Sequence, residues 1–396
     1  MLKVLKICGN TWENASRDKR ELSVYEEMGC TVAVLAKGDA EDCGREDELN
    51  GFKVYRYSTR PLGSKFPNAF NRVASLFAWS RFAKKLKPDI ISAHDLMPGL
   101  VIAWLSTFFV RKKPYIIYDS HEFEIERNTE GKRGKIQKKF IIGLEKFLMK
   151  KCVFSIMVND TIADEVMRIH KLKQRPVVIR STPNKWNIDE SECKRVREEI
   201  MTSVQGPDYL VMYHGALVPD RGIEELIRLL GVNNNLSAVV LGNGSAEYIE
   251  RIRNTAMTEG VDARLYIHPA VPISELWKYV GAVDVCLMMI QGTSKSYYYS
   301  LPNKFFESIQ SLTPMVASDF PEMKRIIDKY EIGLTTNPGD IEAMNQCVER
   351  MRTDKEFYDK CRNNLLKAKD DLCWENEKEV LKQAFEQYIL QGRQKA

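Results

Sequence analysis

The chain has 396 residues, of which 44% are hydrophobic and 29% are charged, and its formal net charge is +5. This composition is typical of a globular protein with room for two domains, and the modest charge gives little support for nucleic-acid binding. The nine cysteines are scattered without a Cys-x-x-Cys pair, which argues against a disulfide framework or a zinc cluster.

Apolar, strand-like runs alternate with helical segments along the first half of the chain. This pattern predicts an α/β domain in which helices cover both faces of a parallel sheet. The first run, residues 1–7, is predicted as a strand and not as a secretory signal. The longest apolar run, residues 100–110, is too short to cross a bilayer of about 30 Å. The predicted strands are residues 4–7, 31–36, 89–92, 115–118, 153–158 and 176–179.

Polar residues follow three of these strands. Ligands of parallel α/β sheets bind at the carboxyl ends of the strands, so we expect these residues to face a ligand. A lone histidine is more often structural, but two polar clusters at one edge favour a functional role. The residues concerned are Gly9, Asn10 and Arg17 after the first strand, His94 after the third, and Asp119, His121 and Glu122 after the fourth.

A basic segment lies between residues 127 and 151. Lysines and arginines there are interleaved with Ile136, Phe140, Leu144 and other apolar residues at helical spacing. A basic amphipathic helix of this kind can lie on an anionic membrane surface. The alternative is an ordinary surface helix that packs on its own domain.

The alternation of strands and helices fades between residues 181 and 207 and then restarts, which places a domain boundary after residue 183. The chain is therefore predicted to fold as two doubly wound domains of similar size with a cleft between them. From about residue 341 the sequence is rich in Lys, Glu and Leu and is predicted to be helical. The strands predicted for the second domain are residues 209–213, 237–241, 264–267, 283–288 and 315–317.

Two glycine-containing turns follow strands of the second domain. Gly215 allows backbone to approach a ligand, Asp220 is a candidate N-cap, and Arg221 stands at the start of the next helix. A helix N-terminus beside an arginine suits a diphosphate. The alternative for each turn is that glycine is needed for geometry alone. Gly242 belongs to the second turn, and His268 and Val271 follow another strand, where they could meet a base or form a plain loop.

The segment from residue 300 to 319 combines a helix with a buried strand. Pro302 suits a first helical turn, and Lys304 and Glu307 are three residues apart and share one helical face. A cation and a carboxylate at this place suit a ligand with phosphate and sugar hydroxyls. The alternative is an exposed ion pair.

Three motifs in order resemble those of glycosyltransferases with two Rossmann-like domains, the GT-B fold, and more narrowly the retaining enzymes of family 4 that build bacterial surface glycans. They are residues 118–122, residues 214–222, and residues 300–307 with 314–319. The resemblance covers nearly the whole chain. It implies an acceptor-side domain over residues 1–183, a nucleotide-sugar domain over 184–375, and a C-terminal helix over 376–396 that crosses back to the first domain.

The resemblance also implies roles for individual residues. The carboxylate at Glu307 would hold the ribose, Arg221 and the Gly215 backbone would meet the diphosphate, and His121 would meet the donor sugar. Two positions depart from the family pattern: Ala216 replaces an arginine and Tyr299 replaces a glutamate. We expect Lys304 to supply the missing positive charge. The implied catalytic set is His121, Arg221 and Lys304; the implied donor-binding set is Gly215, Arg221, Gly242, His268, Val271, Tyr299, Lys304 and Glu307; the acceptor side comprises Gly9, Asn10, Arg17, His94, Asp119 and Glu122.

The expected partners are a UDP- or GDP-linked sugar and a saccharide or lipid-linked acceptor, with no metal, no other cofactor and no nucleic acid. The expected location is the cytoplasm, including the inner face of the cell membrane through residues 127–151. Two alternatives remain. A nucleotide-sugar 2-epimerase of the same fold would convert the donor without an acceptor, and a non-catalytic relative would carry replacements such as Ala216 and Tyr299.

Overall fold

A computed structural model describes residues 1–13, 15–38, 44–49, 51–126 and 135–394. The chain divides into two compact units: unit 1 comprises Met1–Arg180 with Glu377–Ala396, and unit 2 comprises Ser181–Asn376. The boundaries predicted from the sequence fall after residues 183 and 375. None of the helices in the described ranges combines the length and apolar content that a bilayer crossing requires.

Unit 1 contains a twisted sheet whose strands are β1 (Lys3–Ile7), β2 (Thr31–Gly38), β3 (Glu46–Leu49), β4 (Phe52–Ser58), β5 (Ile90–His94), β6 (Tyr115–Ser120), β7 (Phe154–Met157) and β8 (Val177–Val178). Their order is β3-β4-β2-β1-β5-β6-β7-β8, and each neighbouring pair is parallel except β3 with β4. β3 and β4 were not predicted from the sequence. β3 is a polar edge strand, Glu-Asp-Glu-Leu, and β4 has Lys53 and Arg56 among its apolar residues, so neither gives a continuous apolar run.

The helices of the first 180 residues connect these strands. They are α1 (Ser16–Glu27), α2 (Asn68–Leu86), α3 (Val101–Leu105), α4 (Lys135–Met149) and α5 (Asp160–His170). The buried face of α2 is attached to the sheet by Trp79, whose Nε1 donates a hydrogen bond to the Ser58 carbonyl at 3.0 Å. The predicted basic helix is only partly described: α4 covers its second half, and residues 127–134 lie outside the described residues.

Unit 2 contains a six-stranded, all-parallel sheet in the order β11-β10-β9-β12-β13-β14. Its strands are β9 (Leu210–His214), β10 (Ser237–Leu241), β11 (Leu265–His268), β12 (Val285–Met288), β13 (Met315–Ser318) and β14 (Gly333–Thr336). Apolar layers cover both faces of the sheet, with Phe305 and Phe306 in one layer and Leu226 and Leu230 in the other. Burial on both faces explains why most of these strands are continuous apolar runs. The short β14, Gly-Leu-Thr-Thr, lacks such a run and was missed.

The helices of unit 2 and the C-terminal segment are α6 (Glu190–Thr202), α7 (Ile223–Val232), α8 (Ala246–Thr258), α9 (Ile273–Val280), α10 (Lys295–Tyr298), α11 (Asn303–Gln310), α12 (Pro321–Tyr330), α13 (Ile341–Thr353), α14 (Lys355–Asp371), α15 (Trp374–Phe385) and α16 (Gln391–Gln394). Side chains cap several of them; the Ser245 hydroxyl, for example, accepts a hydrogen bond from the Tyr248 amide at the start of α8. Helices on both sides of each parallel sheet give two Rossmann-like units.

The segment from Glu377 onward packs on α1 in unit 1. The rings of Phe385 and Tyr25 lie 5.3 Å apart, and Lys378 forms an ion pair with Glu27 at 2.6 Å. Phe385 is fully buried, so this segment is part of the core of unit 1.

Candidate active site

The carboxyl ends of β9, β10 and β11 meet closely in unit 2. The Gly215 amide donates a hydrogen bond to the Leu241 carbonyl, and the Gly242 amide donates one to the His268 carbonyl, each at 2.9 Å. A Cβ atom at Gly242 would lie 1.8 Å from the Gly215 carbonyl oxygen, so no larger residue fits there. Gly215 has a φ of +123°, a conformation that favours glycine, and it is exposed. Its backbone is therefore accessible to a ligand.

The turn before α7 differs from the prediction. Asp220 is not the N-cap: Asp220 and Gly222 are both in the left-handed region, with φ of +65° and +94°, and the helix begins only at Ile223. Gly222 is the N-cap residue, and a Cβ atom there would lie 2.7 Å from the Met289 carbonyl oxygen. The two left-handed residues delay the helix and place Arg221 in the turn itself.

Arg221 is held by an aromatic ring. Its guanidinium carbon lies 4.5 Å from the centre of the Tyr297 ring, and Nη2 donates a hydrogen bond to the Tyr297 hydroxyl at 3.4 Å. The Nε atom is buried and has no hydrogen-bond partner in the described part of the chain. A guanidinium with a free edge can bind an oxyanion.

Lys304 is a buried lysine. Pro302 is the N-cap of α11 and not, as predicted, a residue of its first turn, so Lys304 is the second residue of the helix. Its Nζ atom lies 3.8 Å from the centre of the Tyr213 ring and has no hydrogen-bond partner among the described residues. Burial lowers the pKa of Lys304 to about 7, and the nearby Arg221 charge contributes to the shift. The alternative of an exposed ion pair with Glu307 is therefore wrong.

Arg221 and Lys304 together form a positive site. Within the described ranges neither makes an ion pair, and repulsion by Arg221 lowers the pKa of Lys304. The Gly215 backbone is adjacent, since a Cβ built there would lie 4.0 Å from Lys304 Cδ. Two cations that make no ion pair in the described ranges, beside an open backbone turn, can bind a diphosphate.

Glu307 has a different partner from the one predicted. Its Oε2 atom lies 3.2 Å from Nε2 of His214, the last residue of β9, and His214 is almost completely buried. The carboxylate remains partly exposed, at 14%. The His214 Nε2 atom makes no hydrogen bond among the described residues, and the Glu307 carboxylate can accept hydrogen bonds from hydroxyl groups of a ligand.

The other predicted donor residues lie around this edge. His268 ends β11, its Nδ1 atom is 2.6 Å from the Pro269 carbonyl oxygen, and its ring lies 4.8 Å from that of Tyr279. Val271 is half-buried and packs against the apolar core. Tyr299 is half-buried with its ring 5.5 Å from that of Tyr298. Of the three consecutive tyrosines, Tyr297 is the one that contacts Arg221.

In unit 1, His94 and His121 form a stacked pair at the carboxyl ends of β5 and β6. Their ring centres are 3.8 Å apart. Asp18 lies 2.9 Å from His94 Nδ1, and Asp119 lies 2.9 Å from His121 Nε2. Burial opposes the charged form of His94, but Asp18 outweighs it and raises the pKa of His94 well above its usual range. Each imidazole is thus oriented by a buried carboxylate, with His121 the more exposed of the two.

A cluster of buried charges supports this pair. Lys6 is fully buried, and its Nζ atom lies 2.8 Å from Asp18, 2.9 Å from Glu21 and 2.7 Å from Asp119. Arg17 binds Glu21 and Asp119, each at 3.0 Å. Burial alone would lower the pKa of Lys6, yet the three carboxylates raise it well above normal. The alternating charges hold Asp18 and Asp119 in fixed positions under the histidines.

The structure corrects two of the acceptor-side predictions. Arg17 is buried and also donates a hydrogen bond to the Ile179 carbonyl, so it supports the histidine pair and does not face a ligand. Asp119 is fully buried among Lys6, Arg17 and His121, so it too supports the histidine pair and does not face a ligand. Asn10 and Glu122 are exposed. Gly9 is half-buried against Pro98, since a Cβ atom there would lie 2.8 Å from Pro98 Cδ.

Among the described residues of unit 1, two groups of side chains have metal-ligand spacing, although the histidines are not arranged for it in sequence. They are Cys8, Asp18 and His94, and Asp18, Asp119 and His121. Their carboxylates already surround the Lys6 ammonium. Burial raises the pKa of the Cys8 thiol to about 12, so it holds its proton at neutral pH. A donor set that encloses a lysine and a protonated thiol is a poor fit for a divalent cation.

Models of two glycosyltransferase families match the chain. The family described as Glycosyl transferases group 1 matches residues 197–368, and the family described as Glycosyltransferase Family 4 matches residues 22–181. The two matches cover most of each unit. The chain is a GT-B glycosyltransferase of the family 4 type. No curated protein sequence matches it.

Solved glycosyltransferase structures share the fold of the chain. Sucrose-phosphate synthase from Thermosynechococcus elongatus superposes with a TM-score of 0.79 at 16% identity, over 98% of this chain and 99% of that one. HepE from Anabaena superposes with TM-scores of 0.75 in complex with UDP-glucose and 0.74 in complex with UDP and glucose, at 13% identity and the same coverage. At this identity the likeness establishes the GT-B fold of this family member and not its substrate.

Sequence reasoning missed several residues of the site. Lys6 and Glu21 are single charged residues within an apolar strand and a helix, and His214 is the last residue of a buried strand. The available signal was a lysine between Leu5 and Ile7 in a predicted buried strand, because a buried lysine needs a carboxylate partner. The partner itself could not be found without the tertiary structure.

Proposed function

We propose that this glycosyltransferase moves a sugar from a UDP- or GDP-linked donor to a saccharide or lipid-linked saccharide, with retention of anomeric configuration, in the synthesis of a cell-surface polysaccharide. The observation that carries the proposal is the pair of cations, Arg221 and Lys304, which lie beside the Gly215 turn without carboxylate partners in the described ranges. A buried lysine whose charge is opposed by burial and by a second cation is stabilised by a dianionic ligand.

The donor would bind to unit 2. Lys304 and Arg221 would contact the diphosphate, the exposed backbone at Gly215 would lie against it, and Glu307 would accept hydrogen bonds from the ribose hydroxyls. The base would meet the backbone around His268 and Val271. The HepE structures with UDP and UDP-glucose support a nucleotide-sugar donor for this fold.

The chemistry would depend on charge stabilisation. As the bond between sugar and diphosphate breaks, negative charge develops on the leaving group, and Arg221 and Lys304 would stabilise it most strongly in the transition state. The family resemblance assigns the role of base to the leaving phosphate itself, so no protein nucleophile and no metal are proposed. His121, oriented by Asp119, would contact the donor sugar near the reacting carbon.

The acceptor would be bound by unit 1, where Asn10 and Glu122 are exposed near the histidine pair. We place the enzyme in the cytoplasm and at the inner face of the membrane. The described part of the basic segment supports this location, because Ile136 and Phe140 on α4 are exposed beside Lys139. An acceptor with a lipid pyrophosphate would be brought close to the site by such contact.

A thermal-shift screen would test the proposal first. UDP, GDP and their common sugars should be compared at equal concentrations. A ligand that binds only the folded state stabilises it, by about 2.7 kcal/mol at 100 times its Kd, and so raises the melting temperature. One base should give a clear increase. The absence of an increase with every nucleotide would contradict the proposal.

Transfer should then be followed with the donor identified by the screen. NMR of the product would give its anomeric configuration, and an inverted product would rule out retention. His121→Ala should abolish most transfer while keeping the thermal shift, because the histidine is proposed to act on the sugar and not on the nucleotide. Conversion of the donor into another nucleotide sugar without an acceptor would instead identify an epimerase.

A further inference from the structure

The outer face of α2 in unit 1 carries an exposed aromatic strip. Phe66, Phe70, Val73 and Phe77 are between 53% and 64% exposed. The opposite face of the helix is anchored in the core through Trp79, so the strip cannot turn inward without unfolding that anchor. Large exposed aromatic side chains in such a row mark an interaction surface.

The loop before α2 holds its apolar side chains in place. The Asn71 side chain accepts a hydrogen bond from the Leu62 amide at 3.0 Å and donates to the carbonyls of Gly63 and Phe66 at 3.0 and 3.1 Å. Leu62 and Phe66 are thereby fixed beside the helix while remaining exposed. The strip is consequently a preformed surface.

The charge of this segment has one sign. Residues 60–88 contain seven lysines and arginines and no aspartate or glutamate. At about 100° per residue, Phe70, Val73, Phe77, Arg81 and Lys84 fall within an arc of about 80° on the helix. The same face is therefore aromatic in its first half and cationic in its second half.

A neighbouring turn extends the surface. α3 packs against α2, and Ser106, just after α3, donates a hydrogen bond to the Ser80 carbonyl at 3.4 Å. Phe109, three residues on, is fully exposed, with a φ of +56°. Between this turn and the end of α2 lies a cavity of about 480 Å³ whose lining includes Lys84, Lys87, Arg111 and Lys112. Its one carboxylate, Asp89, is already paired with Lys112 at 2.6 Å.

We propose that α2 and the turn after α3 form a docking surface for an anionic lipid bilayer, with Phe66, Phe70, Phe77 and Phe109 entering the interface and the surrounding cations contacting lipid phosphates. Aromatic side chains next to lysines and arginines are the combination that binds anionic membranes. A second copy of the chain is disfavoured as the occupant, because a symmetric contact would place this cationic face against itself. The inference is carried by α2 and α3, independently of α4 and of the donor site.

Flotation of the full chain with vesicles would test the surface. Vesicles of phosphatidylcholine with about one third phosphatidylglycerol should bind the protein, and phosphatidylcholine alone should bind it more weakly. Phe70→Ser with Phe77→Ser should reduce the partition coefficient by about tenfold or more, since two apolar contacts are lost. Arg81→Gln with Lys84→Gln should remove most of the preference for anionic lipid and its sensitivity to salt.

The matched control changes two similarly exposed apolar residues of unit 2, Val232→Ser with Met257→Ser, and should leave binding unchanged. Phe140→Ser on α4 measures the contribution of the basic segment separately. Each variant should keep the melting temperature and the nucleotide-dependent thermal shift of the parent protein. Partitioning of the Phe70/Phe77 variant equal to that of the parent would overturn the proposal. The proposal would also be overturned if the parent protein did not bind vesicles but formed dimers that the same substitutions dissociate.

Discussion

The ammonium group of Lys304 lies 3.8 Å from the centre of the Tyr213 ring, and it has no hydrogen-bond partner among the described residues. The aromatic face offsets part of the desolvation of the charge, whereas Arg221 opposes it. The buried charge of Lys304 thus destabilises the free protein. Its substitution should therefore weaken ligand binding and stabilise the free protein.

Lys304→Met should weaken binding of the nucleotide sugar by about 10- to 100-fold, because a charge-assisted contact to the diphosphate is lost. The same substitution should stabilise the free protein by about 1–3 kcal/mol, since it removes a buried charge without a partner. Titration calorimetry and urea unfolding would measure the two quantities. Lys329→Met is the control: Lys329 also lies over a tyrosine ring, at 4.9 Å, but on the surface. Equal effects of the two substitutions on affinity would contradict the assignment of Lys304.

The stability of the free protein should depend on pH through Lys304. Its pKa is about 7 in the folded state, compared with the ordinary lysine value of 10.5 that applies to the unfolded state. Between pH 7 and 10.5 the unfolded state therefore binds more protons than the folded state, and stability rises with pH. Relative to Lys304→Met, the unfolding free energy of the parent should rise by up to about 1.4 kcal/mol per pH unit in this window. Urea unfolding of both proteins from pH 7 to 10 would give the difference, and a difference independent of pH would show that Lys304 does not titrate as described.

Binding of the nucleotide sugar should be accompanied by proton uptake above pH 7. A diphosphate near Lys304 favours its charged form and raises its pKa, so affinity should fall as the pH increases through the range in which free Lys304 loses its proton. Calorimetry in buffers of different ionisation enthalpy would count the protons. The calorimetry should use a nucleotide sugar and not UDP, because the terminal phosphate of UDP itself titrates near neutral pH and would add its own protons to the count. The uptake should be absent in Lys304→Met.

Substitution of His214 should act through Glu307. Glu307→Gln should lower affinity for a ribonucleotide by about tenfold and reduce discrimination against the 2′,3′-dideoxy analogue, because the carboxylate no longer accepts from both hydroxyls. His214→Asn should have a smaller effect in the same direction, since it removes the group 3.2 Å from that carboxylate. When Glu307→Gln is already present, His214→Asn should cause little further loss of affinity. Additive losses in the double variant would show that the two residues act independently.

Lys6 should be essential to the stability of unit 1. Lys6→Met would leave Asp18, Glu21 and Asp119 buried with one cation fewer, and should destabilise the unit by about 3–5 kcal/mol. Lys112→Met, which breaks the exposed pair with Asp89, should have an effect of about 1 kcal/mol or less. Urea unfolding followed by tryptophan fluorescence would compare them. Similar values for both lysines would mean that the buried cluster has little energetic importance.

The fold was largely predictable from the sequence, and the exceptions share one cause. Strands buried on both faces, such as β9 and β10, are continuous apolar runs and were recognised. The polar edge strand β3, β4 with its two basic residues and the short β14 lack that pattern. Turn conformation was also hidden: Asp220 is a residue type typical of an N-cap, yet its φ is left-handed, and Gly222, packed closely against Met289, is the N-cap.

By itself the sequence determined which residue types stand at the ends of the strands, because strand periodicity and glycine-containing turns are local properties of the chain. Lys304, Glu307, Arg221 and His121 were all selected as candidates in this way. Only the tertiary structure decided what these groups contact: that Lys304 lies over Tyr213 and makes no ion pair with Glu307, that Glu307 lies near His214, and that Arg17 is buried among carboxylates. Charge–charge contacts join residues as far apart as Lys6 and Asp119, and their energies depend on burial. Neither distance nor burial is specified by any short stretch of sequence.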